Sequence, residues 1–155
     1  MIDPRIPSRT YSIELRRTYP AEPERVFAAW TQPELLKRWW GVADGYTTPL
    51  AEVDLQVGGR YRLGMLPPDG DDLIVISGEY RVIEPPERLV FSWEIESKRG
   101  PGVISTITLR FLKRDAGTEL VLTHEFEGPK DMGASFKAGW EGMTARLGRW
   151  IADEG

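Results

Sequence analysis

The sequence predicts an α+β fold: a curved antiparallel sheet of about six or seven strands wrapped on a long C-terminal helix, with two short helices after the first strand. Three observations predict it. Apolar and polar side chains alternate through a succession of short runs between residues 11 and 126, the period of strands that bury one face. Glycine and proline clusters break those runs at strand-length intervals. The last stretch, 131–151, instead places its apolar residues at helical spacing.

Tyr11, Ile13 and Leu15 alternate with Ser12, Glu14 and Arg16, so a first strand runs from Tyr11 to Tyr19. Pro20-Ala21-Glu22-Pro23 ends it, and Pro23 suits the first turn of a helix whose buried face is Val26, Phe27 and Trp30. Thr31-Gln32-Pro33-Glu34 then fits a capping box, in which the threonine hydroxyl and the glutamate carboxylate satisfy backbone N–H groups at the start of a second helix, Leu35 to Trp40. From Pro49 onward, turn chemistry at Gly58-Gly59, Pro67-Pro68-Asp69-Gly70, Pro85-Pro86, Arg99-Gly100-Pro101-Gly102 and Asp115-Ala116-Gly117 separates further strands. Tyr61/Leu63/Met65, Ile74/Ile76, Leu89/Phe91/Trp93/Ile95, Ile107/Leu109/Phe111 and Leu120/Leu122/His124/Phe126 fall on one face of them. Arg60, Arg62, Glu94, Glu96, Thr106, Thr108, Arg110, Thr123 and Glu125 fall on the other. In the final helix Met132, Phe136, Trp140, Met143, Leu147, Trp150 and Ile151 crowd into a stripe about 100° wide, while Lys137, Glu141 and Arg149 point away. Only the apolar face of the sheet is large enough to cover that stripe.

A chain of 155 residues suits one domain, 10–155, behind a flexible lead-in over 1–9. The absence of cysteine removes thiol nucleophiles, thiolate metal sites and redox switching, and makes a reducing cytoplasm the simplest address. The net charge is −4 and the basic residues are scattered among acids, so no stripe neutralises phosphates and nucleic acid is not expected as a partner. The longest aliphatic run, Leu73 to Ile76, is far too short to insert in a membrane.

Seven motifs in order make the chain resemble a known family. They are Pro23-Glu24-Arg25-Val26-Phe27 with Trp30-Thr31, Trp39-Trp40-Gly41, Gly58-Gly59-Arg60-Tyr61, Gly78-Glu79-Tyr80, Pro85-Pro86-Glu87-Arg88-Leu89 leading to Trp93, Gly117-Thr118-Glu119-Leu120 leading to Thr123-His124, and Gly139-Trp140. With them the sequence resembles the SRPBCC superfamily, also called START-like or birch-pollen-allergen-like, and within it the group named after the C-terminal domain of the activator of heat-shock protein 90 ATPase. The resemblance implies the helix-grip fold and a cavity between sheet and helix. It leaves activity open, because lipid carriers, hormone and metabolite binders, polyketide cyclases and co-chaperone domains share the scaffold.

The inner face is rich in aromatic residues: Tyr61, Tyr80, Phe91, Trp93, Phe111, Phe136 and Trp140, with Trp39 and Trp40 near one end. Such residues make packed cores, and with Met65 and Met143 they also make apolar ligand pockets. The candidate ligand-binding set is therefore Trp39, Trp40, Tyr61, Met65, Ile76, Tyr80, Phe91, Trp93, Ile107, His124, Phe136, Trp140 and Met143. His124, the single histidine, reads as a neutral core residue, as a polar anchor for a ligand, or as a general acid/base. One imidazole is too few for a catalytic zinc site. Asp69-Gly70-Asp71-Asp72 lacks the spacing of a calcium loop and reads as a turn, and Gly58-Gly59 precedes a strand and cradles no phosphate. No cofactor is implied. Gly139, at the edge of the apolar stripe, would admit a strand, the short helices or a second subunit, and Trp39-Trp40 would serve as a pocket lid or a homodimer contact.

The expected role is non-enzymatic binding of a small apolar or lipid-like molecule between the sheet and the C-terminal helix. Two alternatives stay open: a cyclase or dehydratase in which His124 or Tyr80 moves a proton, and a co-chaperone-like module that activates a heat-shock ATPase through the outer sheet face and the Trp39-Trp40 end.

Overall fold

In the computed structural model, which describes residues 10–70, 72–96 and 104–154, each alternating run becomes a strand. The strands are β1 (Thr10–Tyr19), β2 (Thr47–Val53), β3 (Arg60–Leu66), β4 (Ile74–Glu84), β5 (Arg88–Ile95), β6 (Ser105–Arg114) and β7 (Gly117–Glu127). The helices are α1 (Pro23–Thr31), α2 (Pro33–Trp39) and α3 (Met132–Glu154). The lead-in at 1–9 and the turn at Arg99-Gly100-Pro101-Gly102 lie outside the described residues, as does Asp71 of the acidic turn.

All seven strands join one antiparallel sheet in the order β1-β7-β6-β5-β4-β3-β2. β1 pairs with β7 in unbroken register from Thr10 opposite Glu127 to Tyr19 opposite Thr118. A register shift between Tyr80 and Val82 lets β4 bulge against β5, which increases local bend and twist. Gly58, with φ of +85°, supplies the turn into β3 that a side chain would strain.

α3 lies over the inner face. Its first turn rests on β1 and β7, where a Cβ added to Gly133 would meet Ile13 and Phe126 at 3.2 and 3.3 Å. Further along, Trp140, Met143, Leu147 and Ile151 are buried in the core, as the stripe predicts. Just past the middle of α3 the Tyr19 hydroxyl donates to the Thr144 carbonyl at 2.9 Å, and the Arg17 guanidinium donates to the Thr144 hydroxyl at 3.1 Å. The helix is thus tied to the edge strand at its first turn and again past its midpoint.

The two short helices close one end of the sheet, with one correction to their junction. Thr31 does not cap α2. It is the last residue of α1, and its hydroxyl donates back to the Phe27 carbonyl at 3.0 Å, the i−4 bond open to a helical threonine. Gln32 is the N-cap of α2 and makes no side-chain cap bond, so α2 begins at Pro33 and ends at Trp39. With Gln32 as N-cap, Glu34 falls at the second helical position and not at the third, from which a capping box reaches back.

Gly142 has a reason that the helical wheel hides. The loop after α2 crosses α3 there so closely that a Cβ on Gly142 would overlap the carbonyl oxygen of Val42. Gly142→Ala, ordinarily worth about 1 kcal/mol of extra helix stability, should instead lower the unfolding free energy by about 1–3 kcal/mol through overpacking. Urea unfolding measures the sign, and a stabilised variant would contradict the close approach.

Candidate functional site

The interior divides into a packed end and an open end. At the packed end α1 and α2 deliver Trp30, Trp39 and Trp40. Trp30 and Trp39 meet edge to face with centroids 4.8 Å apart, and Trp39 and Trp40 lie 5.5 Å apart. Trp39 donates its indole N–H to the Ala29 carbonyl at 2.9 Å. Both Trp39 and Trp40 are buried, at 1% and 2% exposure, so neither presents itself to a second subunit or a protein partner. Tyr61 packs on Tyr80 at 5.5 Å and on Phe91 at 5.4 Å, and its hydroxyl donates to the Ser92 carbonyl at 2.6 Å. The gap left among Trp40, Tyr61, Tyr80, Phe91 and their neighbours is about 10 Å³, room for about one water molecule. Ile107 is fully buried in the same core, opposite Phe91 on one side and His124 on the other. Burial pushes the phenols of Tyr61 and Tyr80 well above their ordinary range.

At the open end the same layers leave a cavity of about 240 Å³. Its floor is the inner face of β3, β4 and β5. Met65 stands opposite Ile74, and Ile76 opposite Ile95, with Trp93 beside them. Its roof is one face of α3, where Phe136, Gly139, Trp140 and Met143 follow one another at i, i+3, i+4 and i+7. Val42, from the loop after α2, forms a side wall. The wall is almost wholly apolar; Ser135, exposed, and Ile95, 43% exposed, stand at the mouth.

That loop is strapped to α3. Gly41 N–H donates to Met143 Sδ at 3.2 Å, and Arg146 donates to the carbonyls of Ala43 and Tyr46 at 3.1 and 3.3 Å. The exposed Arg149 and Asp44 pair at 2.6 Å. Two of the last carbonyls before β2 are thereby satisfied by a half-buried guanidinium, which holds Val42 against the roof.

Of the sequence-derived set, Met65, Ile76, Trp93, Phe136, Trp140 and Met143 come together around the cavity. Trp40, Tyr61, Tyr80 and Phe91 surround the small gap instead, and Trp39, Ile107 and His124 line neither space. The cavity also recruits Val42, Ile74, Ile95, Ser135 and Gly139. Alternation had placed Ile74 and Ile95 on this face, and Gly139 lay at the edge of the stripe. Val42, in a loop, and Ser135, on the polar side of α3, carried no such signal.

His124 sits behind the wall. Trp140 donates its indole N–H to Nδ1 at 3.0 Å, and Nε2 lies 2.7 Å from the Ser105 hydroxyl, which donates to the Trp93 carbonyl at 3.1 Å. An indole nitrogen can only donate, so Nδ1 carries the lone pair and the neutral ring holds its proton on Nε2, pointing at Ser105. Base activation of a serine needs the opposite tautomer, a lone pair on Nε2 with Nδ1–H bound to an acceptor. The contact has the length of a nucleophile–base pair and the wrong polarity for one. Burial lowers the His124 pKa to about 4, so the ring is neutral at pH 7. His124 and Ser105 thus fix two tryptophans of the wall, Trp140 through its indole and Trp93 through its backbone.

Among the described residues no group of three or more His, Asp or Glu side chains could hold a metal ion, and no helix is long and apolar enough to cross a membrane. An open seven-stranded antiparallel sheet, gripped by a long C-terminal helix over an apolar cavity, defines a helix-grip protein of the kind that often binds hydrophobic ligands. The sequence profile of the family "Activator of Hsp90 ATPase homolog 1-like protein" matches residues 20–152, and the chain belongs to that family, a branch of the SRPBCC superfamily. No curated protein matches it. Similar solved structures include an AHSA1 protein from Silicibacter pomeroyi, 24% identical, covering 94% of this chain and 100% of that one with a TM-score of 0.83. A protein from Rhodobacter sphaeroides is 26% identical over 93% of each chain, with a TM-score of 0.80. An AHSA1-like protein from Aeromonas hydrophila, solved by NMR, is 25% identical over 93% of this chain and 94% of its own, with a TM-score of 0.76.

The network has a pH signature. The unfolded chain takes up the His124 proton near pH 6.5 and the folded protein resists it down to about pH 4. Stability is therefore complete above pH 6.5 and is lost as pH falls through that window, by about 2 kcal/mol at pH 5. The ring resonances of the single histidine should not titrate between pH 8 and pH 5, and urea unfolding should show the loss. A ring that titrates near pH 6.5 in the folded protein would contradict the bonding pattern.

Proposed function

We propose that this protein binds a small, uncharged, mainly apolar molecule in the cavity between β3, β4, β5 and α3, with Met65, Ile76, Trp93, Phe136, Trp140 and Met143 as the contact surface and no reaction catalysed at His124. The observation that carries the reading is the contrast within one core: rings interlock around about 10 Å³ at one end and leave about 240 Å³ of apolar space at the other. Protein interiors are close-packed, and empty space of that size forfeits dispersion contacts along its whole lining. A ligand restores them. An apolar cavity of about 150 Å³ accepts benzene, so this one suits about ten carbon atoms, with any polar end at Ser135 and the mouth. It lies just below the range of drug-sized sites, about 300–1,000 Å³.

The wall offers no charged group, which disfavours fatty carboxylates relative to neutral molecules. Proton transfer by His124 is disfavoured by its two occupied nitrogens, and by Tyr80 through burial of its phenol. A heat-shock ATPase as partner has the family's name behind it, but of the two surfaces expected to meet such a partner, the outer sheet face and the Trp39-Trp40 end, the second has both its tryptophans inside the core.

Tryptophan fluorescence during titration with straight-chain alcohols from n-hexanol to n-decanol tests the reading, since two wall residues are tryptophans. A saturable change is expected. Ile95→Asp, at an exposed rim position, should leave stability within about 1 kcal/mol and weaken n-decanol binding at least about fivefold by placing a charge at the mouth. No saturable response to any alcohol, together with an organic extract free of bound small molecules, would remove the binding role.

A further inference from the structure

We infer that Gly139 is the residue that sets the size of the ligand, an inference that rests on the cavity reading above. Glycine is the least favourable residue after proline inside a helix, because it loses the most backbone freedom and contributes no packing. α3 carries several, and for two of the others close packing supplies a reason. A Cβ on Gly142 would overlap the Val42 carbonyl, and one on Gly133 would press on Ile13 and Phe126 at 3.2 and 3.3 Å; Gly148, where a Cβ would meet the Tyr19 ring in ordinary contact at 3.4 Å, lies away from the cavity.

Gly139 has no such neighbour. A Cβ built on it meets a single atom within 4 Å, Val42 Cγ1 at 3.9 Å, which is ordinary contact. Its backbone is helical and needs no positive φ. Alanine would fit without strain and would favour the helix, yet the position faces the cavity between Phe136 and Met143. What glycine supplies here is volume: any side chain at 139 grows into the space, against Val42 and toward the floor of Met65 and Ile76. Stability is given up at this position for room, the trade that binding sites make.

The ligand class follows from the same geometry. The walls are apolar apart from the Trp93 indole N–H, which has no partner within the protein, the one hydroxyl, Ser135, stands at the mouth, and the roof carries no side chain at Gly139. A neutral chain or ring system of about ten carbons with one polar end matches this shape and chemistry. Each further methylene buried is worth about fourfold in Kd.

The test is the alcohol series on wild type, Gly139→Ala and Gly139→Leu, with thermal unfolding of each. In wild type, affinity should climb about fourfold per carbon through n-decanol. Gly139→Ala should raise Tm by about 2–4 °C and weaken n-decanol about fourfold. Gly139→Leu should end the climb about three carbons earlier and weaken n-decanol at least about tenfold, with n-hexanol little changed. Alanine guards against a leucine variant that fails to fold. If wild type binds the series and both folded variants keep its chain-length profile, Gly139 does not set the size and only this inference falls. If Gly139→Ala lowers Tm with unchanged binding, the glycine is a packing requirement and the inference is equally wrong. If wild type binds no alcohol, the cavity reading fails and takes this one with it.

Discussion

Trp140 donates its indole N–H to a histidine with no solvent contact, and the position of α3 over the sheet follows from that bond. A neutral hydrogen bond of this kind adds only about 1 kcal/mol net, but a buried imidazole nitrogen left without its donor costs about 1–3 kcal/mol. Helix and sheet are therefore held in one register. His124 also stacks on Phe136 at 4.3 Å between ring centroids and meets Trp93 at 5.1 Å, while Ser105 ties its other nitrogen to the β5 backbone. Sheet, helix and histidine thus share one continuous hydrogen-bonded thread from α3 to β5.

With α3 fixed there, the two ends of the core have different fates. Toward α1 and α2 the indoles of Trp30 and Trp40 reach Trp140, with Trp39 packed against both, and fill the space, Trp40 and Trp140 lying 6.0 Å apart. Toward Met65, Ile74 and Ile95 the facing helix positions are Phe136, Gly139 and Met143, and the missing side chain leaves the layers apart. The Arg146 strap ties the loop that carries Val42 to α3. The binding role proposed for the protein is thus a consequence of one pinned helix, one filled end and one position without a side chain.

Much of this architecture was legible in the residues. Alternation named the inner face because a strand's side-chain period is two whatever its partner, and the α3 stripe named the helix's buried side. The Thr31-Gln32-Pro33-Glu34 capping box was not realised, because Thr31 stays in α1 and turns its hydroxyl back to Phe27; local sequence could not say where one short helix ends and the next begins. Nor could it separate the filled end from the open one. Tyr61, Phe91 and Trp93 alternate onto the same face, and which of them borders the filled end and which the open one depends on the register of α3 against the sheet, set by pairs far apart in the chain such as His124 with Trp140. For His124 the residue type allowed a core, anchoring or catalytic role, and only the donor on Nδ1 distinguishes them. Val42 had no signal at all, since its place depends on a loop folding back onto α3.

Space next to close packing is the central claim, and xenon reports it directly. A crystal held under moderate xenon pressure should show the gas bound among Met65, Trp93, Phe136 and Met143, as in engineered apolar cavities, with no site among Trp30, Trp40 and Tyr61. An interior in which Met143 and Phe136 have closed over the β3, β4 and β5 floor, with no xenon between them, would contradict it.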